Sequence, residues 1–109
     1  MSAALEPQRS SMIPDAVLMD RLAQRDGNAL AELERRYRDS LYALVYGIVM
    51  DSTQADRVVH DLFVHLWRSS DHSALKRGVW NWLRQMASEL ARAEHERRTH
   101  VIPAVRRTK

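Results

Sequence analysis

The chain has no cysteine and only three glycines and three prolines among its 109 residues. Without cysteine there are no disulfides and no thiolate metal sites, which suits a reducing, cytoplasmic setting. So few breakers leave little material for the turns of a many-stranded fold. Long apolar runs are missing as well. The longest, Leu41 to Met50, is interrupted by Tyr42, Tyr46 and Gly47 and falls short of the about 20 residues that span a bilayer, so no membrane role is expected. The N-terminal stretch carries Glu6, Pro7, Gln8 and Arg9 where a secretory leader would need an apolar centre. A Gly-rich phosphate loop, a cysteine nucleophile and a clustered carboxylate pair are all absent, so no catalytic residue and no cofactor is expected. Of the five histidines, His60 and His65 are five positions apart, which does not bring them onto one helical line, so no metal site is expected either.

What is present is helical periodicity. The spacing predicts an all-α bundle of four helices at about 15–26, 28–50, 53–69 and 77–99, between a flexible N-terminus (1–13) and a basic, disordered tail (101–109). Asp15 is the expected N-cap of the first helix, which carries Val17, Leu18 and Leu22. Gly27 is expected to end that helix in a left-handed conformation before Asn28 caps the next. Leu30, Leu33, Tyr37, Leu41, Leu44, Val45 and Ile48 follow three-and-four spacing and make the second helix the spine of the bundle. Ser52 or Thr53 is the expected cap of the third helix, whose stripe is Val59, Leu62, Phe63 and Leu66, with Trp67 one turn after Phe63. The cluster Ser69-Ser70-Asp71-His72-Ser73 breaks it. Val79, Trp82, Leu83, Met86 and Leu90 share a face of the fourth helix, and Trp82 reads as core.

Charge is distributed unevenly. Residues 1–75 hold 8 Lys and Arg against 11 Asp and Glu, whereas residues 76–109 hold 9 against 3, within a net charge of +3. The basic end is where a phosphate backbone would bind, because neutralising phosphates with Lys and Arg releases counterions. On the third helix Asp56, Arg57, His60, Asp61 and His65 fall outside the apolar stripe and give it a mixed-charge surface.

The run from Ala55 to Trp67 resembles the second conserved region of bacterial sigma factors of the extracytoplasmic-function type, which usually reads Ala-Glu-Asp-hydrophobic-Val-Gln-Glu-hydrophobic-Phe and ends in Leu-Trp. Other segments resemble the same family in the right order. Asp15 to Arg25 and Asn28 to Met50 resemble its opening helices, with Ala31-Glu32-Leu33 and Arg36-Tyr37-Arg38-Asp39-Ser40-Leu41-Tyr42 the matching runs. Lys76-Arg77-Gly78-Val79-Trp80-Asn81-Trp82-Leu83 looks like the family's Arg-Gly-Ser-Phe-Arg-Ala-Trp-Leu. The resemblance covers residues 14–100 as one domain.

This resemblance implies a transcription initiation factor domain that binds core RNA polymerase and recognises and melts the minus-ten promoter element. By position, Asp56, Arg57, His60 and Asp61 become contacts to the clamp helices of the polymerase beta-prime subunit. Ser69, Ser70, Asp71, Lys76, Arg77, Trp80, Arg84 and Arg92 become contacts to promoter DNA, chiefly the non-template strand, with arginine for phosphate and Trp80 for stacking a splayed base. An anti-sigma factor is the implied inhibitor, received by apolar edges near Met50, Val58 and Val64. The family's second domain, a helix-turn-helix, would follow Lys109, and residues 95–109 resemble the start of the linker to it. Three departures fall on partner-facing positions. Arg57 stands where the family usually has Asp, His60-Asp61 replaces Gln-Glu, and Ser88-Glu89 replaces Arg-Asn. They leave open an alternative, a sigma-like mimic that binds an anti-sigma factor without reading a promoter.

Overall fold

Hydrophobic periodicity becomes four packed helices. The structure, a computed structural model, describes residues 13–69 and 77–107, with side chains through Arg98. Among the described residues there are α1 (Asp15–Ala23), α2 (Gly27–Val49), α3 (Ser52–Ser69) and α4 (Val79–Arg107), and no strand. α2 packs against each of the other three helices, and α3 also packs against α4. The core is the sum of their apolar stripes: Leu18, Met19 and Leu22 from α1; Leu33, Leu41 and Val45 from α2; Val59, Leu62, Phe63 and Leu66 from α3; Val79, Leu83, Ala87 and Ala91 from α4. Tyr37, Trp67, Trp80, Trp82, Met86 and Leu90 are half-buried against it. Val17, expected on the inner face of α1, is 40% exposed, and Met19 takes the inner position.

The helix ends differ from expectation for electrostatic and backbone reasons. Pro14, whose ring favours the observed φ of −58°, precedes α1 without a side-chain cap. Asp15 is instead inside the first turn, favourable for a negative charge at a helix N-terminus, and its carboxylate is turned to α2. At the α1–α2 turn the left-handed residue is Arg25 (φ 66°) rather than Gly27. Asp26 is the cap, accepting from the Asn28 backbone N–H at 2.9 Å, and Gly27 is already helical. α3 is capped by Asp51, not Ser52 or Thr53. Its carboxylate accepts from the Gln54 N–H and its carbonyl from the Ala55 N–H, both at 2.9 Å. A full negative charge placed there also meets the positive end of the helix dipole, which a hydroxyl does not.

α4 begins at Val79, two residues later than expected, because Gly78 adopts φ 86°. Its backbone then stays helical to Arg107, past the expected end at 99 and through most of the segment read as a disordered tail. Apart from His95, strong helix formers fill residues 91–98, and no breaker intervenes before Pro103.

Met50 closes α2 in the left-handed region (φ 57°, ψ 35°), its N–H donating to the Tyr46 carbonyl at 2.8 Å. This position ordinarily favours glycine. Met50 is 70% exposed and recovers little by packing. Met50→Gly should therefore raise stability by about 0.5–1 kcal/mol, seen as a higher urea midpoint at unchanged slope.

Candidate protein and nucleic-acid interfaces

α3 divides its circumference cleanly. Ala55, Val58, Val59, Leu62, Phe63 and Leu66 are buried, while Asp56, Arg57, His60 and Asp61 are all exposed. At about 100° per residue those four side chains span about 140° of the helix, centred opposite the buried stripe. The structure thus brings the four candidate polymerase contacts together on one convex, charged face. His60 Nδ1 lies 3.6 Å from Asp61 Oδ1, with both side chains more than half exposed. His65 adds a ring nitrogen 3.0 Å from the Asp61 carbonyl.

Grooves flank this face on both sides. Towards α2, a cavity of about 280 Å³ is lined by Leu30, Glu34, His60, Phe63, Val64 and Trp67. Towards α4, one of about 220 Å³ is lined by Val58, Asp61, Leu90, Glu94 and Arg97. Val58 itself is 5% exposed and belongs to the core. The apolar edge expected there therefore consists of Val64, which is half-buried, with Met50 at the far end of α2. At the Trp67 end of the first groove, Arg25 reaches across from the α1–α2 turn. It donates to the Trp67 carbonyl and stands with its guanidinium 5.1 Å from the centre of the indole ring. A cation suits both the C-terminal end of a helix and the face of an indole. No sequence signal marked Arg25, since the two residues are 42 positions apart.

The candidate DNA contacts divide into two groups. Trp80 and Arg84 are one turn apart on one flank of α4, Trp80 half-buried and Arg84 exposed. Arg77 is on the other flank, in a cleft of about 160 Å³ shared with Trp82, Gln85, Met86 and Glu89. Nine residues of helix put Glu89 about 180° from Trp80, so it shares the cleft that Arg77 lines and stands away from the Trp80 flank. The Arg77 carbonyl accepts from the Asn81 side chain at 3.0 Å, across Gly78. Arg92 is exposed further along α4, and Ser69 is exposed at the end of α3. Ser70, Asp71 and Lys76 lie outside the described residues. Trp82 is half-buried against the core, as its reading as a packing residue requires.

Trp80 has a partner that the sequence did not announce. Its ring stacks on Tyr37 of α2, with centroids 5.4 Å apart and planes 25° apart. The Tyr37 hydroxyl donates to Asp15 Oδ2, and Arg36 donates to Asp15 Oδ1 at 2.9 Å. Arg36 also donates to Glu32 at 2.9 Å, and Arg35 pairs with the same carboxylate. The hydrogen bonds from Arg35 and then Arg36 hold Glu32 below the usual carboxylate range. Burial, reinforced by the Asp15 hydrogen bond and charge, pushes the Tyr37 phenol from 10.0 up to about 12. A phenol raised on folding contributes stability that is complete below its unfolded value and is lost as pH rises through its folded one. Stability should therefore decline between pH 10 and about 12, and Tyr37→Phe should remove that part of the decline in denaturant titrations taken across this interval.

Among the described residues no group of three or more His, Asp or Glu could hold a metal ion, and no helix is long and apolar enough to cross a membrane. The described residues form an all-α fold with an exposed, charged face on α3 and a basic, aromatic flank on α4. Over 94 residues, 84% of its length, the chain is 29% identical to an "ECF RNA polymerase sigma factor SigK" from Mycobacterium sp. strain KMS and to the same-named protein from strain JLS. An "RNA polymerase sigma factor SigK" from strain MCS shows the same 29% over 94 residues. The chain spans about half (49%) the length of these relatives. No family model matches it, and no solved structure does.

Proposed function

We propose that residues 14–100 form the polymerase-binding and promoter-melting domain of an initiation factor of the extracytoplasmic-function sigma type, acting in the cytoplasm without catalysis of its own. The observation that carries this reading is the 94-residue similarity to sigma factors, in a chain whose four candidate polymerase contacts share one exposed helical face. In this reading Asp56, His60 and Asp61 meet the basic clamp helices of the beta-prime subunit. Trp80 and Arg84, with Ser69 and the segment after it, take the unpaired non-template strand of the minus-ten element. The indole receives a splayed base and the guanidinium its phosphate. The grooves beside α3 suit the helices of an anti-sigma factor, whose occupancy would block the clamp.

A second reading, the sigma-like mimic, is favoured by the exposure of Arg57 on the polymerase face and by the cleft that sets Glu89 beside Arg77. Glu89 points away from Trp80, so it weakens the DNA contact at Arg77 and leaves the Trp80 flank basic. Binding of the purified chain to core RNA polymerase, followed by fluorescence anisotropy, separates the two. Saturable binding is expected of the sigma domain. No binding by folded protein would sink that reading in favour of the mimic.

A further inference from the structure

We propose that Tyr37 is a positioning residue for DNA binding: stacked behind Trp80, it fixes the indole as a one-sided platform on which a single unpaired base is received. This rests on the reading of the Trp80 flank as the promoter-strand surface. The geometry that carries it joins three helices. Tyr37 leaves α2, lays its ring against Trp80 in the first turn of α4 at 5.4 Å, and donates its hydroxyl to Asp15 of α1. Arg36 holds the same carboxylate at 2.9 Å, so the phenol is fixed at its hydroxyl and along its ring face.

Two consequences follow for a nucleic acid. First, the separation of the rings leaves no slot between them, so a base cannot be sandwiched by Tyr37 and Trp80 and must use the part of the indole that remains accessible. Second, the indole is ordered before the strand arrives. An aromatic ring that is already held loses less freedom when a base stacks on it, and preorganisation of this kind appears as affinity. Arg84, one turn further along the same flank and exposed, places a cation where the phosphate of that nucleotide would run. A lone tryptophan at the start of a helix could turn its ring; the Tyr37 contact prevents this.

The test uses the full chain with core RNA polymerase and a fluorescein-labelled fork-junction DNA whose unpaired strand is randomised in sequence. Tyr37→Leu keeps apolar volume but removes the aromatic face, and Tyr37→Phe keeps the face. Thermal melts establish that both variants are folded, and nuclear Overhauser contacts between residue 37 and the Trp80 indole report where the ring sits. Tyr37→Leu is expected to weaken fork binding about 5–10-fold, part of what base stacking on an aromatic ring supplies, with polymerase affinity unchanged and the Trp80 contacts altered. Tyr37→Phe restores most of the loss. Equal fork affinity in wild type and Tyr37→Leu overturns the proposal and leaves the sigma reading standing. Equal loss in both variants overturns it too, because the hydroxyl and not the ring would then matter. Failure of the wild type to bind fork DNA when it does bind polymerase removes the promoter-strand reading and the proposal together.

Discussion

Exchanging Asp56 and Asp61 together for lysine should weaken binding to core RNA polymerase about 100-fold, or about 2.7 kcal/mol, while leaving the domain folded. The two carboxylates are exposed on α3 and lie outside its buried stripe. A single exposed ion pair is worth only about 0.2–1 kcal/mol. Reversal does more than delete, because each lysine then repels the basic surface that the aspartate attracted, and the effect on the association rate is the steeper one. The defect should shrink as salt is raised, since screening removes repulsion and attraction alike. Arg57, between them on the same face, gives the opposite sign: Arg57→Asp should tighten binding. Urea midpoints should move by no more than about 0.5 kcal/mol, as expected of surface substitutions. Undiminished affinity in the double variant would place the polymerase contact on another helix.

The second large effect belongs to the core. Leu62→Ala should cost about 3–5 kcal/mol, measured by urea unfolding. Leu62 is 0% exposed, in the middle of α3, between a helix on which it rests and the charged face carried on its own far side. Its removal loses the transfer free energy of the missing carbons and leaves a cavity that rigid helices close only in part. Domains of this size hold about 5–15 kcal/mol in total, so the variant would spend a large part of its reserve and lose partner binding through unfolding. Loss of polymerase affinity in Leu62→Ala under conditions where the variant is fully folded would argue instead for a local role of the side chain.

Most of the architecture was legible because burial in a helical bundle repeats with the helix. Leu33, Leu41 and Val45 in α2, and Val59, Leu62, Phe63 and Leu66 in α3, stand at three-and-four spacing and are all buried. The exposed quartet of α3 is the complement of that stripe, so it was legible for the same reason. What periodicity does not encode is the identity of a cap among adjacent candidates. Asp51, Ser52 and Thr53 are all good capping residues, and only the backbone path shows that Asp51 is the one that caps. Nor does it encode contacts between distant residues. Nothing in the sequence tied Trp80 to Tyr37 or Arg25 to Trp67; only the fold brings them together. The direction of Glu89 was likewise unreadable as a motif, although the nine-residue offset from Trp80 contains it once α4 is known to be continuous.

The brevity of α1 has its own outcome. At nine residues it is shorter than the about 12–15 that an isolated helix needs to be even marginally stable in water. It persists because Leu18, Met19 and Leu22 dock and because Asp15 holds two groups of α2. Such a segment is the first to open in native-state fluctuations, well below the free energy of global unfolding. When it undocks, the Tyr37 hydroxyl loses its acceptor although α2, α3 and α4 remain assembled. The Tyr37–Trp80 stack, made between α2 and α4, outlasts that opening, so the indole platform stays formed while α1 comes and goes.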